Sequence, residues 1–495
     1  MRRRADPLLI GVGVVSVLTY ALHGFQGVLS RDLAIYAYAG QQVFDGVPPY
    51  EGVLNRAGPL AHLLPGAGVL IARVFGIEDL LGMRVLFLLF AAASVCLTYL
   101  LSRDVFRSRA AGLISAMALL SFEGFTDYAS GGPREKTPMV LFLLWSAWAV
   151  HRRRWFEAGI AVSLATLVLQ LAFPVGLVVA VIGLIADRRG DRLRSLVRYV
   201  VGGLVPVLVL AVYFAATGTL RTAFAAFLTI NARYTTGNPI SHNLSKHWRQ
   251  LEHGYGFSLW VGVVGLAVLV VVAAWSVGAL VAAWRRGETD RASASIIGIM
   301  LAAVVAILWL LRDFDDWPDA LTVLPWAAVG FGGLLTLLRG WLKPRQLLAV
   351  TLVLTLAGLA GSLAYSLGSR DDRLSLQRQN VTAKMAALPA DTTILSVNAP
   401  QALVLTRKTS PTRFLTFSSG LTQYVNDTYP GGIAGFRHWV ARQDPTVITV
   451  GWPVPGWIHG LIRRDYVRVG AVSGWVWYAR RALGPEAITA VKNAR

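Results

Sequence analysis

Long apolar runs recur along the first three quarters of the chain and then stop. Most of them approach the length of about 20 residues with which an α-helix crosses a bilayer. They lie near residues 7–24, 84–102, 110–126, 137–150, 156–186, 198–217, 257–284, 292–311, 318–338 and 346–367. After residue 368 the sequence is more polar and its apolar stretches are short. The pattern predicts a membrane-embedded body followed by a C-terminal region of a different kind.

The loops between the apolar runs alternate in charge. One set is rich in arginine and comprises residues 1–4, 103–109, 151–155, 187–198, 285–291 and 339–345. The other set is polar to acidic and comprises residues 26–58, 123–136, 219–256 and 312–319. Because short cytoplasmic loops carry an excess of Lys and Arg, the alternation predicts a cytoplasmic N-terminus and places the second set outside.

Two segments decide the number of crossings. Residues 156–186 are flanked by basic loops at both ends, so we expect two short helices that break near residues 171–174. Residues 59–76 are apolar, but a crossing there would invert every later loop, and the segment contains His62, Pro65 and Arg73. We therefore place that segment on the outer surface, which gives about eleven crossings in total.

The C-terminal region alternates strand-like and helix-like pieces. Residues 392–397, 413–417 and 446–451 are predicted strands, and residues 433–442 and 457–464 are predicted helices. The predicted fold class is an all-α polytopic membrane protein with a small extracytoplasmic α/β domain. Its transmembrane domain spans residues 1–368, with an outer loop at 26–82 that carries surface helices, and the soluble domain spans residues 369–495.

Composition agrees with a multi-pass cell-membrane protein. Of the 495 residues, 55% are hydrophobic and 15% are charged, which leaves too little polar surface for a soluble domain. The net charge of +20 comes largely from arginines in the short loops, so we do not expect a nucleic-acid partner. Cys96 is the only cysteine, which excludes an intramolecular disulfide and a site built from several cysteines.

The first outer loop contains the leading candidates for chemistry. Ser30 can cap a helix whose residues Leu33, Tyr36 and Phe44 recur at helical spacing, as in an amphipathic surface helix. Asp32 lies in its first turn, where a carboxylate could remove a proton from a hydroxyl. Arg56, on the far side of the loop, could bind a lipid phosphate. The alternatives are a favourable charge at a helix N-terminus for Asp32 and an interfacial anchor for Arg56.

The order of first helix, Asp, Tyr, G-x-P-P-Y (46–50) and a basic residue before Gly-Pro-Leu (58–60) resembles the glycosyltransferase-C superfamily. It is most similar to the dolichyl-phosphate-mannose mannosyltransferases, relatives of the protein O-mannosyltransferases. The resemblance implies inverting transfer of a sugar, mannose above all, from a polyprenyl- or dolichyl-phosphate donor to a glycan, lipid or protein acceptor outside the membrane. It implies that Asp32 is the general base and that Arg56 and Arg84 bind substrate. The chain departs from the family pattern at Arg31, where many relatives have an acid, and at Gly58, where they have proline.

Three further outward segments supply candidates for substrate binding. Arg134 and Lys136 could contact the donor phosphate and Glu135 the sugar hydroxyls, unless residues 131–136 are only a solvated turn. Arg233 and Tyr234 could cover the head group of the lipid donor. Arg312 precedes the acidic stretch 313–319, which the resemblance places near the donor site. That stretch could hold a divalent cation, although Arg312 alone could neutralise it.

Two other functions fit the same hydropathy pattern. A transporter or a flippase for lipid-linked sugars is the principal alternative, since the break near Pro174 is a feature of such proteins. Transporters also tend to carry ionisable residues within their helices and to contain internal repeats. The apolar segments of this chain are nearly free of charge, and no repeat is visible in it. A catalytically silent homologue that scaffolds cell-envelope proteins is a third reading.

Overall fold

The computed structural model describes residues 6–187, 190–235, 237, 239–242, 244–418 and 420–494. Within residues 6–368 it contains the helices α1 (Pro7–His23), α2 (Arg31–Phe44), α3 (Leu60–Phe75), α4 (Asp79–Val105), α5 (Arg109–Ser121), α6 (Glu123–Gly131), α7 (Lys136–His151), α8 (Trp155–Val168), α9 (Ala172–Ile185), α10 (Arg192–Ala216), α11 (Leu220–Phe224), α12 (Ile230–Tyr234), α13 (Leu244–Tyr255), α14 (Ser258–Arg285), α15 (Arg291–Arg312), α16 (Leu324–Gly332), α17 (Leu334–Leu338) and α18 (Pro344–Gly368). A π-helical turn at Ala225–Thr229 and 3-10 turns at Ile240–His242 and Trp317–Thr322 complete this part.

Several helices have the length and apolarity that a bilayer requires, which confirms a multi-pass membrane protein. In the described residues, five are long enough to cross: α4, α10, α14, α15 and the helical stretch Pro344–Ala386 that begins with α18. Shorter apolar helices include α1, α3, α5, α8 and α9. The total of about eleven crossings stays a prediction.

Three of the arginine-rich loops meet at one end of the helix bundle. Asp6 accepts hydrogen bonds from Tyr99 Oη and Arg103 Nη1, both at 2.9 Å. Arg153 pairs with Asp187 in the next loop of the set. Arg152 Nη1 also lies 3.6 Å from Asp104 Oδ2, so the loops 103–109, 151–155 and 187–198 share one end, next to Asp6. Residues 1–4 and 188–189 of the set lie outside the described part. The assignment of that end to the cytoplasm remains a prediction.

The predicted break within residues 156–186 is confirmed. Helix α8 ends at Val168 and α9 begins at Ala172, so the chain reverses between them. The break contacts the first outer loop, because the backbone N–H of Gly58 donates to the carbonyl of Val168 at 2.9 Å. Residues 169–171 therefore lie at the opposite end of the bundle from the basic loops.

Helices α2 and α3 form a hairpin held together by close backbone approach. A Cβ atom on Gly40 would lie 2.6 Å from Cβ of Pro65, so only glycine fits at that crossing. Gly40 thus has a packing role that offsets its weak helix propensity. The hairpin places the N-terminal end of α2, with Asp32, at the end of the bundle opposite Asp6.

The C-terminal region contains one four-stranded sheet and six helices among its described residues. The strands are β1 (Ile394–Val397), β2 (Val447–Val450), β3 (Tyr466–Val472) and β4 (Trp475–Arg480), in the order β1-β2-β4-β3. β1 and β2 are parallel, whereas β4 runs antiparallel to both β2 and β3. The helices are α19 (Arg373–Ala386), α20 (Gln401–Thr406), α21 (Leu421–Thr428), α22 (Gly432–Gln443), α23 (His459–Asp465) and α24 (Pro485–Asn493), with 3-10 turns at Gly456–Ile458 and Arg481–Leu483.

The small α/β character of this region is confirmed, but one predicted strand is wrong. Residues 413–417 are extended without joining the sheet. Their backbone is instead bound elsewhere: Leu54 N–H donates to the carbonyl of Arg413, and Asn398 N–H donates to that of Leu415. Strands β3 and β4 were not predicted. The boundaries of the two predicted domains are not tested by these contacts.

The C-terminal region packs directly on the first outer loop. The side chain of Gln377 accepts from Leu29 N–H at 2.9 Å and donates to the Leu29 carbonyl at 3.1 Å. Tyr38 Oη, on α2, accepts from Ser410 N–H at 3.0 Å. The region therefore covers α2 and encloses the space beside Asp32.

Candidate functional site

A cavity of about 1270 Å³ lies between the C-terminal region and the end of the helix bundle opposite Asp6. Its wall is built from many separate pieces of chain that only the fold brings together. They include parts of residues 23–36, 55–57, 127–136, 169–171, 231–235, 309–319, 365–373, 416–421 and 452–453. Five of the nine predicted site residues line it, namely Asp32, Arg56, Arg134, Glu135 and Lys136.

Asp32 is held as an ionised carboxylate at the start of α2. Ser30 caps this helix by accepting from Leu33 N–H at 3.4 Å, which places Asp32 in the first turn. Arg31 Nε lies 2.9 Å from Oδ1, and Arg134 Nη1 lies 2.8 Å from Oδ2. Burial raises the pKa of Asp32, but the two guanidinium groups outweigh it and leave the pKa well below its usual range. The side chain is 38% exposed and borders the cavity.

Arg134 is a positioning group in this geometry. Its guanidinium lies over the rings of Tyr36 and Tyr128, at 6.0 and 5.5 Å from their centroids. Besides Asp32, its Nε is 3.2 Å from Oε2 of Glu135. A buried guanidinium held by two carboxylates and two aromatic faces has little capacity left for a ligand. The structure therefore favours a role for Arg134 in orienting Asp32 over the predicted contact with phosphate.

Arg56 is the cationic side chain of the cavity wall that no carboxylate neutralises within the described ranges. It is half-buried, and its Nη1 donates to Thr235 Oγ1 at 3.1 Å. The other Lys and Arg side chains of the wall are each paired: Arg31 and Arg134 with Asp32, Lys136 with Asp319, and Arg373 with Asp371. An unneutralised guanidinium in a partly dry cavity is a binding site for an anion.

Two amides hold the backbone beside Arg56. Its carbonyl oxygen accepts from Gln170 Nε2 at 3.0 Å and from Asn231 Nδ2 at 2.9 Å. Gln170 also donates to the carbonyl of Phe227 at 2.8 Å. The break between α8 and α9 thus supplies a polar side chain that fixes Arg56 at the cavity.

The acidic stretch 313–319 forms another part of the wall, and Asp319 organises it. This carboxylate pairs with Lys136, and its Oδ2 accepts from the backbone of Asp315 at 2.8 Å. Burial raises the pKa of Asp319, but Lys136 and the backbone donors lower it by more, so the pKa lies below its usual value. Within the residues that the structure describes, no group of three or more His, Cys, Asp or Glu is arranged to hold a metal ion. The acids therefore give no support to the predicted divalent cation.

Arg312 does not have its predicted place. It is exposed at the end of α15 and is not part of the cavity wall. The partner of the acidic stretch is Lys136 instead, because the turn before α7 brings the Lys136 ammonium to Asp319. Sequence proximity favoured Arg312, and the fold brought in a more distant cation.

Arg84 also lies outside the cavity wall, contrary to expectation. It is fully buried, and its guanidinium donates to the backbone carbonyls of Phe25, Gly27 and Gly132, the last two at 2.9 and 3.2 Å. These carbonyls belong to the loop before α2 and the turn before α7. Arg84 thus fastens the two segments that carry Asp32 and Arg134, which is a structural role.

Arg233 and Tyr234 are likewise displaced from the cavity. Arg233 is exposed, and the ring of Tyr234 packs edge-on against Tyr424 with 5.3 Å between centroids. Tyr234 thus contacts the C-terminal region. Its neighbours Asn231 and Thr235 line the cavity instead, because α12 turns them toward Arg56.

Several wall residues were not predicted from the sequence. They are Arg31, Tyr36, Tyr128, Gln170, Asn231, Thr235 and Trp317. Tyr128 and Trp317 stack at 5.1 Å with 23° between their planes, which adds an aromatic face to the acidic side. Gln170, a polar residue within an otherwise apolar segment, was a signal that could have been read. The stacking of Tyr128 on Trp317 has no such signal in the sequence, since 189 residues separate the two.

Solved structures with the same fold were found by comparison. ArnT from Cupriavidus metallidurans in its apo state is 14% identical, and the alignment covers 97% of this chain and 98% of ArnT, with a TM-score of 0.61. ArnT bound to undecaprenyl phosphate is 15% identical, with coverages of 97% and 99% and a TM-score of 0.59. The Archaeoglobus fulgidus oligosaccharyltransferase tethered to an acceptor peptide is 12% identical, with coverages of 96% and 74% and a TM-score of 0.52.

These likenesses show that the chain has the fold of ArnT and of the archaeal oligosaccharyltransferase. At such low identity they extend to the arrangement of the helices and the C-terminal region, but not to the activity. No protein-family model matches the sequence, and no curated protein matches it.

The structural role of Arg84 gives a first prediction. Arg84→Gln should lower the free energy of unfolding by about 3 kcal/mol or more, because three buried carbonyls lose their donor. Titration of the purified protein in detergent with denaturant measures this free energy of unfolding. Arg378→Gln is the matched control, since Arg378 forms a half-exposed pair with Glu78 that should contribute little. Equal effects of the two substitutions would contradict the assignment.

Proposed function

We propose that the chain is a membrane glycosyltransferase that moves a sugar from a polyprenyl- or dolichyl-phosphate donor to an acceptor hydroxyl. The observation that carries the proposal is the arrangement of charge in one cavity: an ionised carboxylate, Asp32, and an unneutralised guanidinium, Arg56. Transfer from a lipid phosphate requires a proton acceptor and a cation for the departing phosphate. The fold shared with ArnT, one structure of which holds undecaprenyl phosphate, supports the same reading.

The proposed reaction assigns one task to each residue. Asp32 accepts the proton of the acceptor hydroxyl while the hydroxyl oxygen bonds to the anomeric carbon of the sugar. The bond from that carbon to the phosphate oxygen breaks, and its electron pair leaves with the polyprenyl phosphate. Arg56 stabilises the negative charge that grows on this phosphate. Attack opposite the departing phosphate inverts the anomeric centre.

The low pKa of Asp32 is compatible with this task. A carboxylate paired with Arg31 and Arg134 is a weak base, but it is ionised at every pH at which the protein works. The acceptor hydroxyl becomes strongly acidic as its oxygen bonds to carbon, so the proton can pass to a weak base late in the reaction. Arg31 and Arg134 also fix the direction of the carboxylate, which favours proton transfer from one position.

The finer features of the proposal come from the sequence. The resemblance to mannosyltransferases makes mannose the first donor sugar to test, with a glycan, lipid or protein as acceptor. The alternation of basic loops supports a cytoplasmic N-terminus and an outward cavity. We also propose a domain division near residue 368, with residues 369–495 as the outer domain over the cavity.

The transporter or flippase reading has less support than transfer chemistry. Its main argument was the break between α8 and α9, and Gln170 in that break has a role of its own in binding the backbone at Arg56 and Phe227. The charged residues of the cavity lie at the ends of helices and in loops rather than midway along the apolar segments.

Replacing the proposed base gives the first test of the function. Asp32→Asn should lower the transfer rate by about 10²-fold or more, since a positioned base contributes about 10²- to 10⁴-fold. The measurement is sugar transfer from a radiolabelled polyprenyl-phosphate donor by the purified protein. Asp315→Asn, which alters another carboxylate of the same wall, should retain activity. Wild-type turnover by Asp32→Asn would remove Asp32 as the base.

The second test concerns the anion site. Arg56→Ala should weaken binding of undecaprenyl phosphate by about tenfold or more, because a charge-assisted hydrogen bond is worth about 1.5–3 kcal/mol. Arg56→Lys should retain part of the affinity. Arg373→Ala is the control, since Asp371 already pairs with that cation of the wall. Direct binding is measured by thermophoresis, and equal loss in the Arg56 and Arg373 variants would argue against a specific phosphate site.

The electrostatics of Asp32 predict a pH effect. In the wild type, lowering the pH to 5 should not cost activity through Asp32, because its pKa lies far below that value. Arg31→Gln removes one cation, which raises the pKa of Asp32, so activity should begin to fall at a higher pH as the medium is acidified. Arg31→Lys keeps the charge and should behave like the wild type. Superimposable pH–rate profiles for all three proteins would refute the ion-pair argument.

A further inference from the structure

An exposed tryptophan stands at the rim of the cavity, on the side of the C-terminal region. Trp452 is 82% exposed and lies in the loop after β2, and both it and Pro453 belong to the cavity wall. An indole ring open to solvent at that degree is costly in the free protein, since its apolar face is left in water. Its place beside a polar cavity suggests that a ligand covers it.

The backbone of this loop is linked to the proposed base. Arg31 Nη1 donates to the carbonyl oxygen of Trp452 at 3.2 Å, while Nε of the same guanidinium lies 2.9 Å from Asp32 Oδ1. One arginine side chain thus joins the catalytic carboxylate and the tryptophan loop. The backbone of Trp452 is therefore one arginine side chain away from Asp32.

A buried asparagine holds the backbone of this loop. Asn398 Nδ2 donates to the carbonyl of Pro453, and its Oδ1 accepts from Phe417 N–H at 2.8 Å. The flanking residues Thr416 and Ser418 are themselves part of the cavity wall. Asn398 therefore holds two rim segments in one arrangement, one with the aromatic ring and one with two hydroxyl-bearing residues. A rim fixed in advance loses little entropy when a ligand binds.

We propose that Trp452 forms an acceptor subsite that binds a saccharide. One face of a pyranose ring carries C–H groups that pack on an aromatic ring, and its edges carry hydroxyls that need polar partners. Trp452 supplies the aromatic face, and Thr416 and Ser418 are the hydroxyl-bearing residues on the neighbouring segment. A saccharide held there would present a hydroxyl toward Asp32. This inference rests on the proposed function and narrows its acceptor to a glycan.

Direct binding tests the subsite without reliance on turnover. Full-length protein in detergent is labelled with 5-fluorotryptophan, and the ¹⁹F resonance of residue 452 is identified by its loss in Trp452→Phe. The probes are the methyl glycosides of mannose, galactose and glucose. Trp341 is the matched control, since it is 86% exposed and precedes α18, whose opposite end reaches the cavity at Tyr365 and Ser369.

The expected result is a saturable shift of the 452 resonance with at least one glycoside and no shift at 341. The absence of a shift with all three glycosides overturns the proposal, as do equal shifts at both positions. A 452 resonance that responds only to transfer of the protein from detergent into lipid nanodiscs also overturns it, in favour of a membrane contact.

Kinetics then separate this inference from the proposed function. With a glycoside acceptor, Trp452→Ala should raise the acceptor KM about tenfold and leave the donor KM unchanged, whereas Trp341→Ala should change neither. Trp452→Phe should have a smaller effect, because it keeps an aromatic face. A ¹⁹F shift in a wild-type protein that transfers no sugar would refute the enzymatic function and leave the saccharide site standing. Sugar transfer with an unchanged acceptor KM in Trp452→Ala would refute the saccharide site and leave the enzymatic function standing.

Discussion

The ion pair between Asp32 and Arg134 is the interaction on which the site depends. A guanidinium as buried as that of Arg134 costs several kcal/mol unless charges and hydrogen-bond acceptors surround it. Asp32, Glu135 and the rings of Tyr36 and Tyr128 supply that environment. Because these groups come from α2, α6 and the turn before α7, the pair forms only when the surface helix docks on the bundle. The site around Asp32 therefore forms only when α2 packs against the helix bundle.

Arg56 can act as an anion site because carboxylates neutralise the other cations of the cavity wall. A cavity lined with five arginine and lysine side chains would bind anions almost anywhere if all of them were free. Pairing of four leaves one cation facing the cavity without a carboxylate among the described residues. The position at which the cavity can bind an anion therefore depends on these pairings as much as on Arg56 itself.

Local patterns in the sequence predicted those features of the fold that depend on residues close together in the chain. The helix of Asp32, the break after α8 and the grouping of the basic loops all follow from spacing and charge within short segments. Strand β4 alternates in burial, because Trp475, Trp477 and Ala479 are buried while Val476 and Tyr478 between them are more exposed. Residues 475–479 are all apolar, so this alternation is a property of the fold and not of the sequence.

Long-range pairings could not be predicted in the same way. Arg84 near the start of a membrane helix looks the same whether it binds phosphate or backbone carbonyls, and only the path of residues 25–27 and 132 decides between them. Residues 413–417 have the composition of a strand, but Leu54 and Asn398 bind their backbone before a neighbouring strand can.

Arg31 shows how a departure from a family pattern can carry information. Where the family that the sequence resembles often has an acid, this chain has a cation that lowers the pKa of Asp32 and donates to the carbonyl of Trp452. A second acid at this position would repel Asp32 and could not donate to that carbonyl. The substitution therefore exchanges basicity for a mechanical link between the carboxylate and the C-terminal region. Such a link is useful if the acceptor binds partly on that region, since the ligand and the base are then held in one frame.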